Sequence, residues 1–290
     1  MDRFRVTGGT SLRGEVRVAG AKNSALKLMA SALLAEGRTV LRDVPAITDV
    51  DYMADLLRRL GVEVRRDGGT VVVDVPSQVS FAAPYHLVRR LRASICVLGP
   101  LLARCGAADV ALPGGDAIGS RGLGMHLAGL EKLGATVSVE HGFVIARAPR
   151  GLHGANIWLD FPSVGATENL VTAATLASGT TVIDNVAREP EIVDICRLLS
   201  RMGAKIDGVG TSTLRIEGVG GLTPTQHTTV PDRIVTGTWA IAAVMTRGDV
   251  TVVNGHADHL EIVLDKLAYA GATIDPADEG VRVPMSGRLR

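Results

Sequence analysis

The apolar residues of this chain follow one pattern four times. In each copy a helix rich in Ala and Leu precedes a short β-branched run, an amphipathic helix follows, and two further β-branched runs close the copy. In the first copy the pattern predicts helices over residues 24–35 and 49–60 and a strand over 39–41. The third copy repeats it with helices over 164–177 and 191–202. The chain is therefore predicted to be an α+β protein of four similar repeats.

Paired glycines mark the ends of the predicted helices. The first set is Gly37, Gly106, Gly179 and Gly248, and the second set is Gly61, Gly134, Gly203 and Gly271. Glycine is favoured just past a helix end because the backbone there adopts a left-handed conformation. The second set recurs every 68 to 73 residues. That period exceeds the common solenoid lengths, so we expect the repeats to share sheets and helices within a compact fold.

The second repeat is longer than the others. Its two glycines lie 28 residues apart, against 23 or 24 in the other copies. The addition falls on residues 113–121, which include Gly114, Gly115, Asp116, Gly119 and Arg121. Such a glycine-rich loop can act as a lid, and Asp116 could donate a proton near neutral pH when enclosed in a dehydrated pocket. The alternative is an ordinary surface loop with a turn-forming aspartate.

Composition favours a globular protein of the cytoplasm. The 290 residues carry a formal net charge of +1, which argues against a dedicated nucleic-acid surface. The first residues are typical of a strand, so we expect no signal peptide, and the absence of an apolar stretch near roughly 18 residues predicts no membrane span. Cys96, Cys105 and Cys196 are odd in number and lack metal-binding spacing, so we expect reduced thiols and no metal site.

Polar and basic residues stand where the first helix of each repeat begins. Lys22, Asn23 and Ser24 open the first helix, and Arg92 opens the corresponding helix of the second repeat. The stretch 163–167 and the pair Asp232 and Arg233 hold the equivalent places in the third and fourth repeats. Helix N-termini and basic side chains together favour a site for a polyanion. The alternative is that these residues are solvated lysines and arginines and ordinary helix caps.

Seven motifs in order resemble the UDP-N-acetylglucosamine 1-carboxyvinyltransferase family of enolpyruvyl transferases, and the likeness runs from Met1 to about Val283. The motifs are Gly20-Ala-Lys-Asn-Ser24, Leu91-Arg-Ala-Ser94, Leu98-Gly-Pro-Leu101, Leu112-Pro-Gly-Gly-Asp-Ala-Ile-Gly-Ser-Arg121, Ser163-Val-Gly-Ala-Thr-Glu-Asn169, Ala187-Arg-Glu-Pro-Glu191 and Pro231-Asp-Arg-Ile234.

The resemblance implies an activity and a set of site residues. The enolpyruvyl group of phosphoenolpyruvate would pass to the 3′-hydroxyl of UDP-N-acetylglucosamine by addition and elimination, releasing phosphate, with no metal and no cofactor. This is the first committed step of peptidoglycan synthesis. Lys22 and Asn23 would contact phosphoenolpyruvate, Lys22 and Arg121 would stabilise its charges, and Asp116 would protonate its methylene carbon. The residues implied to hold the uridine diphosphate are Arg92, Arg121, Gly122, Leu123, Gly124, Met125, Ser163, Val164 and Gly165.

The sequence departs from the family pattern within that stretch. The family pattern Ser-Arg-Pro-x-Asp-x-His is here Ser120-Arg-Gly-Leu-Gly-Met-His126, so Gly122 and Gly124 replace Pro and Asp. The two glycines loosen the loop and leave open how it recognises uridine.

The chain is also shorter than the resemblance implies. The family has six repeats in two domains of inside-out α/β barrel form, built from βαβαββ units, whereas this chain has four. We expect a complete three-repeat domain over residues 21–220, and a partial second domain from residues 1–20 and 221–290. The family's acceptor-activating aspartate and several arginines would lie beyond Arg290. Apolar helices near residues 234–245 and 262–267 would then lack partners, so we expect self-association.

Three functions stay open at the level of sequence. The chain is an enolpyruvyl transferase acting on UDP-N-acetylglucosamine, with activity impaired by the missing repeats. Alternatively it transfers enolpyruvyl to another nucleotide or to 3-phosphoshikimate. As a third alternative it is a non-catalytic module that binds a UDP-sugar.

Overall fold

The structure is a computed structural model that describes residues 3–114, 122–277, 279–285 and 287. The chain divides into two compact units. The larger unit is Lys22–Val230, and the smaller unit combines Met1–Ala21 with Pro231–Arg290. The chain therefore passes from one unit to the other twice, after Ala21 and after Val230.

The elements follow the predicted repeats along the chain. The start of the chain and the first repeat contain β1 (Arg13–Arg17), α1 (Lys22–Ser31), β2 (Gly37–Arg42), α2 (Thr48–Arg59), β3 (Glu63–Asp67) and β4 (Thr70–Val75). The second repeat contains β5 (Ala82–Ala83), α3 (Tyr85–Val88), α4 (Leu98–Cys105), β6 (Ala107–Ala111), α5 (Gly124–Lys132), β7 (Thr136–Glu140) and β8 (Phe143–Arg147).

The second half continues in the same way. The third repeat contains β9 (Asn156–Trp158), α6 (Val164–Ala174), β10 (Thr180–Asp184), α7 (Pro190–Arg201), β11 (Lys205–Asp207) and β12 (Thr213–Glu217). The fourth contains β13 (Gln226–Thr228), α8 (Arg233–Met245), β14 (Asp249–Val253), α9 (Glu261–Tyr269), β15 (Asp275–Ala277) and β16 (Gly280–Pro284). Short 3₁₀ segments lie at Ala32–Leu34, Arg92–Val97 and Ala257–His259.

Each repeat contributes to one four-stranded sheet, and the strand order is the same in all four sheets. The sheets read β13-β2-β4-β3, β5-β6-β8-β7, β9-β10-β12-β11 and β1-β14-β16-β15. The first pair in each is parallel and the other two pairs are antiparallel; Ile183, for example, lies opposite Ile157 in parallel and Leu214 in antiparallel register. This recurrence confirms the predicted α+β class with βαβαββ repeats.

Two strands pair with partners that are distant along the chain. β1 precedes α1 but pairs with β14 in the smaller unit, whereas β13 precedes α8 but pairs with β2 in the larger unit. Because β13 completes a sheet of the larger unit, that unit continues to Val230 rather than ending near residue 220. The correspondence of the units to one complete and one partial domain stays a prediction.

The helices of the larger unit lie at its centre, and their packing follows from composition. α1 and α6 are buried along most of their length, and α4 packs against α6. The strands bury alternate residues only, as in β4, so their sheets cover the helices from outside. This is the inside-out arrangement expected from the resemblance. A smaller cluster around Val244, Val252 and Val283 forms the core of the smaller unit.

The repeat glycines have the backbone that their spacing predicts. Seven of the eight adopt positive φ, with Gly248 as the exception. At Gly248 a Cβ would stand 2.1 Å from the Leu12 carbonyl oxygen, so space rather than backbone conformation requires glycine there.

Candidate functional site

The first predicted site residues lie in the first turn of α1. Lys22 is the first residue of the helix, and its Nζ lies 3.1 Å from Asp49 Oδ2 in the first turn of α2. The Lys22 side chain is 48% exposed, and Asn23 beside it is half-buried. The ammonium group is thus near the surface and held by a carboxylate that an arriving anion would have to compete with.

Arg92 and His126 form a second part of the site. Arg92 opens a 3₁₀ segment that continues into α4, rather than an α-helix as the sequence predicted. His126 is buried in the first turn of α5. Burial, and after it the positive charge of Arg92, lower the pKa of His126 from 6.5 to about 4. His126 is therefore a neutral imidazole beside the Arg92 guanidinium.

The start of α6 meets the same histidine. Ser163 caps the helix, and its Oγ accepts a hydrogen bond from the Ala166 N–H at 3.3 Å. A Cβ on Gly165 would stand 3.2 Å from His126 Cε1, so the α6 backbone lies against the imidazole ring. A side chain at position 165 would require the ring to shift by a few tenths of an ångström. Close packing rather than backbone conformation therefore favours glycine at this position.

Asn169 fixes the orientation of His126 from within α6. Its Nδ2 lies 3.0 Å from His126 Nδ1, and its Oδ1 accepts a hydrogen bond from the Gly99 N–H at 2.9 Å. The amide NH₂ can only donate, so Nδ1 of the histidine is the acceptor. α4, α5 and α6 are joined through these two side chains, and Arg92 precedes α4 and acts on the same histidine through its charge.

This arrangement can bind an anion. The first turn of α5 carries the neutral imidazole, the first turn of α6 lies against it, and the positive charge of Arg92 acts on it. Helix N-termini and arginine are the groups that proteins use to hold phosphates.

The loop residues are placed only in part. Asp116 and Arg121 lie outside the described residues. Leu123, Met125 and Val164 are half-buried and pack against the core of the larger unit. Gly122 and Gly124 have no described atom within 4 Å of an added Cβ. The connection from β6 to α5 runs over residues 112–123, far longer than the five residues between β2 and α2.

A buried charged pair that the sequence patterns did not predict joins α1 to α6. Lys27 Nζ lies 3.2 Å from Glu168 Oε1, and the Cys96 thiol lies 3.6 Å from Glu168 Oε2. Burial alone would lower the pKa of Lys27, but the Glu168 carboxylate outweighs it and raises that pKa. Burial, followed by the charge of Glu168, raises the pKa of Cys96. The signal was present in the sequence, because Lys27 and Glu168 each interrupt an apolar helix.

The fourth repeat places its predicted residues in the smaller unit. Asp232 caps α8 by accepting hydrogen bonds from the Ile234 and Val235 N–H groups, and Arg233 is the first residue of the helix. The capping alternative therefore accounts for Asp232.

One group of described residues in the smaller unit could hold a metal ion. His256, Asp258 and His259 have donor atoms within 4.8 Å of one another. His256 and Asp258 are exposed, and such groups are common on protein surfaces, so the geometry alone assigns no ion. Within the described part of the chain, no helix is long and apolar enough to cross a membrane.

The fold and these motifs define an enolpyruvyl transferase. The family model for EPSP synthase (3-phosphoshikimate 1-carboxyvinyltransferase) matches residues 6–289. The enolpyruvyl transferase NikO from Streptomyces tendae superimposes with a TM-score of 0.86 at 25% identity, over 98% of this chain and 68% of that one.

Closer relatives share one name. A UDP-N-acetylglucosamine 1-carboxyvinyltransferase of Corynebacterium jeikeium is 58% identical over 99% of this chain and 68% of its own length. One of Nocardia farcinica is 57% identical over 100% of this chain and 69% of its own. The chain belongs to the UDP-N-acetylglucosamine 1-carboxyvinyltransferase family, within the wider group of enolpyruvyl transferases, which confirms the resemblance seen in the motifs.

Proposed function

We propose that this chain binds UDP-N-acetylglucosamine and phosphoenolpyruvate and carries the transfer of the enolpyruvyl group to the 3′-hydroxyl of the sugar, with release of phosphate. Relatives that bear this activity in their names, at 52 to 58% identity, support the reaction. A place in peptidoglycan synthesis in the cytoplasm, and with it in cell shape and division, belongs to the same proposal.

The observation that carries the proposal is the convergence around His126. Arg92 and the first turns of α5 and α6 present positive charge and N–H donors at one place in the larger unit. A diphosphate carries the matching negative charge and oxygen acceptors. We therefore assign Arg92, Ser163–Gly165 and Gly122–Met125 to the uridine diphosphate group.

Lys22 and Asn23 are assigned to phosphoenolpyruvate. Lys22 is exposed at a helix N-terminus, where ammonium and backbone N–H groups act on the same anion. Binding would exchange the Asp49 carboxylate at 3.1 Å for the substrate phosphate. Arg121 would add a second positive charge, and Asp116 would deliver the proton to the methylene carbon during addition; both lie outside the described residues.

Calorimetry tests the nucleotide site. UDP-N-acetylglucosamine should bind the wild-type chain, and Arg92→Ala should weaken binding at least tenfold, because loss of a charge-assisted contact to phosphate costs roughly 1.5–3 kcal/mol. Arg150→Ala is a matched control, since Arg150 is an exposed arginine in the turn after β8. Equal effects of the two variants would contradict the assignment.

Two alternative functions each have one supporting observation. The matching family model is described as 3-phosphoshikimate 1-carboxyvinyltransferase, so that acceptor stands as the alternative. Phosphate release with phosphoenolpyruvate should occur with UDP-N-acetylglucosamine and be absent with 3-phosphoshikimate. Binding of the UDP-sugar without phosphate release would instead favour a binding module, for which the shared 68% of the relatives' length is the supporting fact.

A further inference from the structure

Asp194 on α7 is a buried carboxylate that accepts three hydrogen bonds. Its Oδ2 accepts from the Ser24 hydroxyl at 2.5 Å and from the Val230 N–H at 3.1 Å. Its Oδ1 lies 2.7 Å from Nε2 of His227, which is also buried. An ionised carboxylate has acceptors only, so it satisfies all three donors at once. Asparagine has the same shape, but its NH₂ group donates, so at least one of the three donors would face another donor.

The protonation of His227 follows from its second neighbour. Nη1 of Arg201 lies 3.4 Å from His227 Nδ1. A guanidinium can only donate, so Nδ1 accepts and Nε2 carries the proton that points at Asp194. The four side chains thus form one chain of hydrogen bonds from Arg201 through His227 and Asp194 to Ser24. These hydrogen bonds hold the Asp194 carboxylate in one position.

The two other partners of Asp194 lie at the two places where the chain changes unit. The first passage follows Ala21, and Ser24 stands in the helical turn that begins at Lys22. The second follows Val230, whose own N–H is bound. A single oxygen, Asp194 Oδ2, therefore binds a residue of the larger unit next to each connection. Thr229 adds to this by donating its N–H and its hydroxyl to the Arg42 carbonyl at 3.0 Å.

We infer that Asp194 is a positioning residue that fastens both connections at the larger unit, and that through Ser24 it holds the first turn of α1 with Lys22 and Asn23 in place for phosphoenolpyruvate. The second half of this inference rests on the proposed function. A turn that is not fixed spends part of its time in unproductive positions, and affinity falls in proportion.

Hydrogen exchange read by mass spectrometry tests the fastening without any substrate. Asp194→Asn should speed exchange in peptides covering residues 22–26 and 228–231 by about tenfold or more, the equivalent of roughly 1.4 kcal/mol of lost local stability. Ser24→Ala should speed the first peptide and leave the second unchanged, because the Val230 bond remains. It also keeps the test open if Asp194→Asn does not fold.

Asp184→Asn is the matched control. Asp184 on β10 accepts a hydrogen bond from the Thr213 hydroxyl of β12 at 2.6 Å, within the larger unit. This variant should leave both peptides unchanged. The fastening role would be overturned if Asp194→Asn left exchange in the two peptides unchanged. It would also be overturned if exchange in β10 and β12 rose as much as in those peptides.

Calorimetry with phosphoenolpyruvate, in the presence of UDP-N-acetylglucosamine, tests the substrate half. Asp194→Asn and Ser24→Ala should raise the Kd for phosphoenolpyruvate about tenfold, while the affinity for UDP-N-acetylglucosamine changes less than about twofold. If the variants exchange faster in these peptides but bind phosphoenolpyruvate as the wild type does, the positioning of Lys22 and Asn23 is overturned and the fastening role stands. No binding of phosphoenolpyruvate by the wild-type chain would overturn that half together with its part of the proposed function, and the exchange result would still decide the fastening.

Discussion

Among single residues, His126 shows how surroundings set the state of a side chain. It is buried between α5 and α6, its Nδ1 accepts a hydrogen bond from Asn169, and Arg92 lies near enough to disfavour a second positive charge. Each of these keeps the imidazole neutral. A charged His126 would both lose the Asn169 bond and repel Arg92, so the packing around this residue favours its uncharged form.

Stability should therefore fall as the solution is acidified. The pKa of His126 is about 4 in the folded chain against 6.5 unfolded, so the unfolded chain takes up the proton first as pH falls. The neutral state of His126 contributes fully to the free energy of unfolding above about pH 6.5. This contribution, at most roughly 3 kcal/mol, is lost as the pH falls from about 6.5 to about 4. Urea denaturation at several pH values measures it. His126→Gln cannot titrate, and a slope unchanged in that variant would contradict the assignment to His126.

The buried pair of Lys27 and Glu168 makes a different prediction. Removing one partner leaves the other charge uncompensated, so Lys27→Met should lower the free energy of unfolding by about 3–5 kcal/mol. The double variant Lys27→Met with Glu168→Met should lose less, because no charge is left buried. Urea denaturation compares the two. A double variant less stable than the single one would show that the pair is not the source of the loss.

At the scale of elements, the first turn of α5 lacks the residue its family pattern carries. Gly124 opens the helix, has no positive φ, and leaves room for a side chain among the described atoms. Gly124→Asp should raise the free energy of unfolding by about 1 kcal/mol, because it removes a helical glycine and places a carboxylate at the helix N-terminus.

The same substitution bears on uridine recognition. Restoring the family's Asp should tighten UDP-N-acetylglucosamine binding in calorimetry, while Gly122→Ala, which changes only the neighbouring glycine, should not. Weaker binding in Gly124→Asp, despite higher stability, would indicate that the added carboxylate repels the diphosphate and that this chain reads its nucleotide differently.

At the scale of the whole molecule, the smaller unit exposes apolar side chains. On α8 and α9, Met245 is 70%, Ile262 78% and Tyr269 85% exposed. Exposed apolar surface of this kind favours association. We expect sedimentation velocity to show concentration-dependent self-association that Met245→Lys with Ile262→Lys reduces. Val139→Lys, at a half-exposed residue of the larger unit, is the control. A monodisperse monomer at all concentrations would contradict this prediction.

The sequence by itself determined the repeats, their helices and strands, and the family. These rest on short-range physics: apolar periodicity, glycine at helix ends, and motifs that are contiguous along the chain. Boundaries were less well determined, since the helix predicted over 164–177 ends at Ala174. The roles of Asp116, Arg121 and the other site residues stay predictions.

The tertiary structure alone decided the pairing and register of the strands and which polar groups meet. β1 and β13 each pair with a strand of a distant repeat rather than of their own neighbourhood. Asn169 contacts His126, and Ser24 contacts Asp194 across 170 residues of chain. No local pattern encodes such partners, because a buried donor or acceptor is satisfied by whatever the packed helices bring beside it.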